Sequence, residues 1–448
     1  METARLFGTD GIRGSAGAWP LDPPTVARIG GAVVRALAHP AERPVRLLVG
    51  RDTRESGEWI ERELARGAVS QGAVVESVGV MPTPGVAYLT RSRDVDLGVV
   101  ISASHNPFHD NGIKVFSGRG EKFSEGVERT VEALVADTSW SVPVAGEARI
   151  ERVDLSEDYL AHTALLGPAG DGLKGMRVAL DLSNGATTTT ARRLFESLGC
   201  TLVLLGDAPT GQNINLACGS THPASLAAAV VAQGCQLGVA FDGDGDRAIL
   251  IDHRGRVVDG DSVLLLLGLH YQRQGRLTGN TVVATVMSNI GLEIALRDWG
   301  IAMIRTAVGD KYVMETMLKH GFVVGGEQSG HVILAEHLFT GDGMATALAV
   351  MRVMVESGQS LAELASALIA YPQTLVNVRV RERVDVDLVP AVAAAMARVR
   401  EALGSSGRLL VRYSGTEPLL RIMIEGEDQV SIRAWAEEIA DAVRTTLA

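Results

Sequence analysis

LGVVISASHNPFHDNGIKVF, residues 97–116, opens on an apolar run in which Val99, Val100 and Ile101 are β-branched, and the run breaks at Ser102-Ala103-Ser104-His105-Asn106-Pro107. Such a run predicts a buried strand over 97–101, and Pro107, with no N–H to give a ladder, predicts its end. Ser104 therefore falls in a loop just past a strand's carboxyl end. In open parallel α/β sheets ligands bind at that edge, where following helices point positive N-termini outward. Ser104 is the candidate reacting residue. Serine before Asn-Pro also suits a plain turn, so its role depends on the other loops of the chain. A hydrolase elbow is excluded, because Ser102 and Asn106 stand where GxSxG needs glycine.

The same alternation surrounds this stretch. Before it, Phe7-Gly8-Thr9-Asp10-Gly11-Ile12-Arg13-Gly14 combines turn glycines with Arg13, a candidate phosphate clamp. A helix is predicted from Asp22-Pro23, with a strand over 45–49, a helix carrying Ile60, Leu64 and Ala68, a strand over 74–78 and a turn at Met81-Pro82-Thr83-Pro84. Alternation restarts with strands over 176–181, 201–205 and 237–241 and again over 281–286 and 322–324, and one long helical stretch from Asp342 is predicted to stop at Tyr371-Pro372. The remainder reads βαββα. At about 150 residues per domain, 448 residues suit several domains. The predicted map is 1–155, 156–258 and 259–371, three α/β domains, and 372–448, a smaller C-terminal α+β domain.

Two further strand ends carry chemistry. After 237–241 comes Asp242-Gly243-Asp244-Gly245-Asp246-Arg247, whose carboxylates at i, i+2 and i+4 face one side of an extended chain. Uncompensated, each such pair repels by about 4 kcal/mol when partly desolvated. A hard divalent cation resolves this, and magnesium is predicted. An EF-hand is excluded, since Arg247 replaces its glycine and His253 its glutamate. After 322–324 comes Gly325-Gly326-Glu327-Gln328-Ser329-Gly330-His331, where Glu327 and Ser329 are suited to sugar hydroxyls. In the last segment Arg412-Tyr413-Ser414-Gly415-Thr416, with Arg421, offers hydroxyls, backbone amides and arginines for a phosphate.

The totals set limits. A net charge of −11 argues against nucleic acid or an anionic membrane as partner. Cys200, Cys218 and Cys235 form no CxxC pair, so neither a disulfide framework nor a zinc site is predicted. No apolar run nears the roughly 18 residues needed to span a bilayer, the N-terminus lacks an apolar signal core, and a cytoplasmic protein is expected.

Taken in order, SASHNP (102–107), DGDGDR (242–247), GEQSGH (326–331) and RYSGTEP (412–418) resemble the α-D-phosphohexomutase family over essentially the whole chain. FGTDGIRG near the start and NIN followed by CGSTHP (213–223) resemble its glucosamine branch. The resemblance implies that Ser104 is carried as phosphoserine, donates to glucosamine 6-phosphate, and is recharged from glucosamine 1,6-bisphosphate as glucosamine 1-phosphate leaves. It implies three similar α/β domains with mixed sheets and a smaller C-terminal domain around one central cleft, and magnesium held by Ser104, Asp242, Asp244 and Asp246. Lys114 and Arg247 are then the expected charge-neutralising groups, with a deprotonatable Lys114 amine as candidate acid or base and Arg13 and His331 as further catalytic candidates. Glu327, Ser329, Arg412, Ser414, Gly415, Thr416 and Arg421 are the expected substrate ligands. A kinase or autophosphorylation is expected to charge Ser104 first, in a monomer or homodimer. The competing readings are another hexose preference within the family, a metal-dependent sugar phosphatase, and a non-catalytic sugar-phosphate sensor.

Overall fold

A computed structural model describes residues 5–37, 43–143, 148–414 and 418–447. The chain divides into two compact units, Met1–Met287 with Met303–Ser366, and Ser288–Ala302 with Ala367–Ala448.

In the first unit, β1 (Phe7–Gly8), β2 (Gly11–Ser15), β3 (Arg46–Arg51), β4 (Val74–Val80), β5 (Leu97–Ile101), β6 (Asp110–Ser117) and β7 (Ile150–Arg152) make one sheet in the order β1-β2-β6-β5-β3-β4-β7. Strands β5, β3, β4 and β7 run parallel, while β6, β2 and β1 join antiparallel. Helix α1 (Pro23–Ala36) starts as its sequence signals, with the Asp22 carboxylate accepting from Thr25 N and proline in the first turn. It crosses α2 (Gly57–Ser70) closely because Gly30 and Gly67 lack side chains: a Cβ on Gly67 would lie 1.8 Å from the Ala27 carbonyl oxygen.

Two expectations here need correction. Met81-Pro82-Thr83-Pro84 is no turn joining two strands; Thr83 opens α3 (Thr83–Ser92), the crossover helix between β4 and β5. Proline without an N–H fits a first helical turn, where that group has no partner. Nor does a helix follow Ser104. The chain passes α3 and β5 and returns as β6, antiparallel to β5 with Ile101 opposite Ile113, because the buried run 111–116 completes the sheet. No helix dipole therefore points at Ser104 from the next element.

This turn-back recurs. After α4 (Glu125–Ala136) and α5 (Ser156–Ala164), β8 (Arg177–Asp181), α6 (Ala191–Ser197), β9 (Thr201–Leu205), α7 (Ala224–Ala232), β10 (Leu237–Phe241), β11 (Ala248–Asp252) and β12 (Val257–Val258) build a sheet ordered β12-β11-β10-β8-β9. Its fully buried β10 meets β11 antiparallel, Phe241 opposite Ala248, across the Asp-rich loop. Helix α8 (Gly260–Arg273) leads into β13 (Thr281–Thr285). Helix α9 (Ile290–Asp298) belongs to the second unit. Then come β14 (Ala302–Thr306), α10 (Asp310–His320), β15 (Val324–Gly326) and β16 (Val332–Leu334), in a sheet ordered β14-β13-β15-β16. Strand β15 meets β16 antiparallel, Gly326 opposite Val332, across the Glu327 loop. The long helix expected from Asp342 is two: α11 (Gly343–Ser357), capped by Asp342 and ended by left-handed Gly358, and α12 (Leu361–Ala365), opened by a Ser360/Glu363 capping box.

The second unit is the expected βαββα. Strand β17 (Gln373–Arg379), α13 (Pro390–Leu403), β18 (Arg408–Tyr413), β19 (Leu419–Glu425) and α14 (Gln429–Leu447) place the sheet, ordered β17-β19-β18, against a core that includes Met396, Ile422, Ile439 and Val443. The α9 segment joins through Asn289, which exchanges hydrogen bonds with Tyr371, and through Ile290 N donating to Glu425.

Candidate active site

Ser104 is fully buried and adopts a left-handed backbone, φ 52°. A non-glycine residue in that region costs on the order of 1 kcal/mol and persists where its surroundings impose it. Here they do so from both sides. Ser104 N donates to Ser102 Oγ (3.0 Å), which donates to Asp52 Oδ2 (2.5 Å). The Ser104 carbonyl accepts from Arg54 Nη2 (3.2 Å) and Asn215 Nδ2 (2.9 Å). Burial pushes the Asp52 carboxyl up despite its ion pair with Arg54. The Ser104 hydroxyl donates to Asp242 Oδ2 at 2.5 Å and lies 3.3 Å from His105 Nδ1. Burial, then the charges of Arg247 and Arg13, lower His105 to about 4 and keep it neutral near pH 7.

The turn-back after β10 brings one carboxylate oxygen each of Asp242, Asp244 and Asp246 within 4.8 Å of one another, all buried. Burial first, then Asp246 and Asp244, drive the Asp242 carboxyl well above the usual carboxylate range. Asp244 Oδ2 accepts from Thr83 Oγ1 (2.5 Å) at the start of α3 and from Lys114 Nζ (2.7 Å), leaving buried Asp244 Oδ1 without a hydrogen-bond partner. Three buried aspartates, with Asp244 Oδ1 and Asp246 Oδ1 both without a hydrogen-bond partner, fit a divalent cation. Magnesium titrated into the metal-free protein should raise its unfolding temperature, by the equivalent of about 2.7 kcal/mol at a hundredfold excess over its dissociation constant. Scanning calorimetry would read this shift, and Asp244→Ala should abolish it; no shift at saturating magnesium would contradict the assignment.

Cations face the acids. Lys114, 1% exposed on β6, donates to Asp244 and to Asp246 Oδ2 (2.9 Å) and pairs with Asp10 Oδ2 (3.0 Å). Burial opposes its charge, but these carboxylates outweigh it and hold the ammonium pKa well above the ordinary lysine value. These contacts favour the ammonium form over the deprotonatable amine that the resemblance suggested. Asp10 also pairs with Arg13 and with Lys122 Nζ (2.5 Å), and Lys122 reaches Asp310. His331 Nδ1 lies 3.5 Å from Asp246 Oδ1, while its Nε2 accepts from Gly341 N (2.9 Å) and lies 3.5 Å from Asp310 Oδ2. Burial lowers the His331 pKa, but Asp246 and Asp310 raise it by more. Arg247 donates its backbone N–H to Asp242 Oδ1 (3.2 Å), and Asp242, Asp246 and Glu327 raise its guanidinium pKa against burial. Burial alone would raise Asp246; Lys114 and His331 hold it well below the usual range.

Ser104, Asp242, Asp244, Asp246, Lys114, Arg13, Arg247 and His331 therefore lie together. The carboxylate of Glu327 accepts from Gly309 N (3.1 Å) and from Ser329 Oγ (3.4 Å), beside Arg247. In the second unit, Arg421 Nη2 donates to Ser414 Oγ (3.3 Å) and Arg412 lies opposite Arg421 in the β18–β19 register. Gly415 and Thr416 lie outside the described residues. Sequence reasoning passed over Asp10, Lys122, Asp310, Arg54, His105 and Asn215. Asp10 and His105 sit inside quoted motifs, but Lys114 and Lys122 beside Asp10, and Arg247 near His105, come from more than a hundred residues away.

Sequence comparison finds the descriptions "phosphoglucomutase/phosphomannomutase, alpha/beta/alpha domain I", "domain II" and "domain III" at residues 4–141, 158–255 and 259–371, and the C-terminal domain at 375–442. The phosphoglucosamine mutase of Solibacter usitatus is 49% identical over 98% of this chain and 98% of its own, and that of Moorella thermoacetica 50% identical over 95% and 96%. The crystal structure of a phosphoglucomutase/phosphomannomutase family protein from Burkholderia thailandensis superposes with a TM-score of 0.81 at 23% identity, covering 99% of this chain and 98% of that one, a likeness of fold. With full-length relatives at such identity and every domain of the family present in order, the chain belongs to the α-D-phosphohexomutase family and is an enzyme of the isomerase class.

Proposed function

We propose that the enzyme interconverts glucosamine 6-phosphate and glucosamine 1-phosphate, with Ser104 as phosphoryl carrier and glucosamine 1,6-bisphosphate as intermediate. The observation that carries this reading is the Ser104 hydroxyl, 2.5 Å from a carboxylate of the buried Asp triad. The NIN and CGSTHP stretches (213–223) and the names of the full-length relatives favour the amino sugar. Asp242, Asp244, Asp246 and the Ser104 oxygen would hold magnesium, which would withdraw charge from the transferring phosphoryl group.

O1 and O6 of one sugar cannot exchange a phosphoryl group in line, so an intermediate holder is needed. In the first transfer the bond from phosphorus to Ser104 Oγ breaks and a bond to sugar O1 forms; the O1 proton leaves and one proton returns to Ser104 Oγ. In the second, after the bisphosphate turns over, Ser104 Oγ takes the phosphoryl group from O6 and the proton passes back. Lys114, Arg13 and Arg247 meet the charge on the equatorial oxygens, and His331, whose Nε2 is occupied by the Gly341 N–H, shares a proton with Asp246 through Nδ1. Glu327 and Ser329 hold the sugar hydroxyls, and Arg412, Ser414, Gly415, Thr416 and Arg421 hold the phosphate that is not reacting. The domain map 1–155, 156–258, 259–371 and 372–448 goes with this division of labour. A kinase or autophosphorylation first charges Ser104, in the cytoplasm.

A coupled assay with magnesium and catalytic bisphosphate, run on glucosamine, glucose and mannose 6-phosphates, should give the highest kcat/KM for glucosamine, by at least about tenfold, equivalent to about 1.4 kcal/mol. Equal or greater efficiency on glucose or mannose would reassign the substrate. Stoichiometric release of inorganic phosphate would make the enzyme a phosphatase.

A further inference from the structure

The stretch NINLACGSTHP, residues 213–223, holds no reacting group, metal ligand or sugar ligand of the proposed transfer, yet it reaches the carrier serine. Asn215 is buried, and its amide Nδ2 donates to the carbonyl oxygens of both Ser104 (2.9 Å) and Asn106 (3.0 Å). Arg54 Nη2 donates to the same two oxygens, at 3.2 and 2.5 Å. Gly243 of the Asp-rich loop packs on this junction: a Cβ there would lie 2.5 Å from Ser104 O and 2.9 Å from Asn215 Nδ2. Asn215 is itself left-handed (φ 58°), as are Ser183 (48°), Asn184 (50°) and Ala217 (53°) around it, and its N–H donates to Ser183 O at 2.9 Å. Strain gathered in two adjoining loops and spent on fixing a third is characteristic of a positioning device.

We infer that Asn215 is a positioning residue of the phosphoryl transfer: it clamps the 104–106 carbonyls, holding Ser104 in its left-handed conformation with Oγ at Asp242. This rests on the proposed function and adds to it a residue that touches neither sugar nor metal. A backbone clamp acts on the geometry of transfer, so its loss falls on kcat rather than on KM.

Asn215→Gly keeps the left-handed backbone open and removes the amide; Asn215→Asp keeps the shape and sets oxygens against two carbonyl oxygens. The parent and both variants are compared in the sugar-phosphate isomerisation assay and by hydrogen exchange of the segment around 104–106. Asn215→Gly should lose at least about tenfold in kcat and Asn215→Asp about a hundredfold, each with KM within about twofold. The amides near Ser104 should exchange at least about tenfold faster in both. A kcat within threefold of the parent, unchanged exchange, or a loss carried by KM overturns the inference. So does failure of both variants to fold, which would make Asn215 a residue of the fold alone. A parent that isomerises no sugar phosphate refutes the proposed function instead, while exchange still reads the clamp.

Discussion

Ser104→Ala should lower turnover by at least about 10⁴-fold, an effect of about 5.4 kcal/mol or more on the barrier. The reason is stoichiometric. Without Oγ the enzyme has nothing on which to store a phosphoryl group between O1 and O6, and His105, 3.3 Å from that oxygen, is half-buried and neutral near Arg247 and Arg13 and does not replace it. Binding of glucosamine 6-phosphate to the variant should stay within about threefold of the unphosphorylated parent, since a single hydroxyl facing Asp242 is removed. Steady-state assay with titration calorimetry separates the two quantities. Turnover within tenfold of the parent would exclude Ser104 as carrier.

Lys114→Met should lower kcat by about 10³-fold, about 4 kcal/mol. The side chain is 1% exposed and its ammonium lies within 3.0 Å of Asp10, Asp244 and Asp246. Removing it leaves buried Asp244 without its ion-pair partner, which also costs roughly 3–5 kcal/mol of stability. Kinetics on the folded fraction, checked by near-ultraviolet circular dichroism, distinguish the two effects: a purely structural lysine would lower the unfolding temperature and leave kcat of the folded enzyme intact. Because its pKa is raised, activity should show no titration of Lys114 through the neutral range. Arginine should rescue little, since a planar fork does not fit the point between Asp244 and Asp246 that the ammonium fills.

What the sequence displays is whatever repeats locally. Residues 97–101 and 237–241 advertise buried strands by unbroken apolar runs, and Asp242, Asp244 and Asp246 advertise a cation by alternating with glycine, so both were readable and both stand where expected. The start of α3 was hidden because Pro82-Thr83-Pro84 carries the same residues as a turn. Only the Thr83 N–H and hydroxyl, spent on Asp244, show that a helix begins there. The return of β6 was hidden for another reason: residues 110–117 continue the quoted stretch without a period that separates a strand from a helix. The electrostatic core was least legible. Asp10 meets Lys114 and Lys122 across more than a hundred residues, and Lys122 meets Asp310 still farther away, so no local spacing records pairs that exist only once three sheets have closed.

The central claim is that phosphorus passes through Ser104 to a sugar. Enzyme labelled with ³²P on Ser104, mixed with glucosamine 6-phosphate and magnesium and quenched within one turnover, reads this directly. The account predicts that label leaves Ser104 and appears in glucosamine 1,6-bisphosphate and then in glucosamine phosphate. Label recovered as inorganic phosphate, or retained on Ser104 while sugar isomerises, would contradict it.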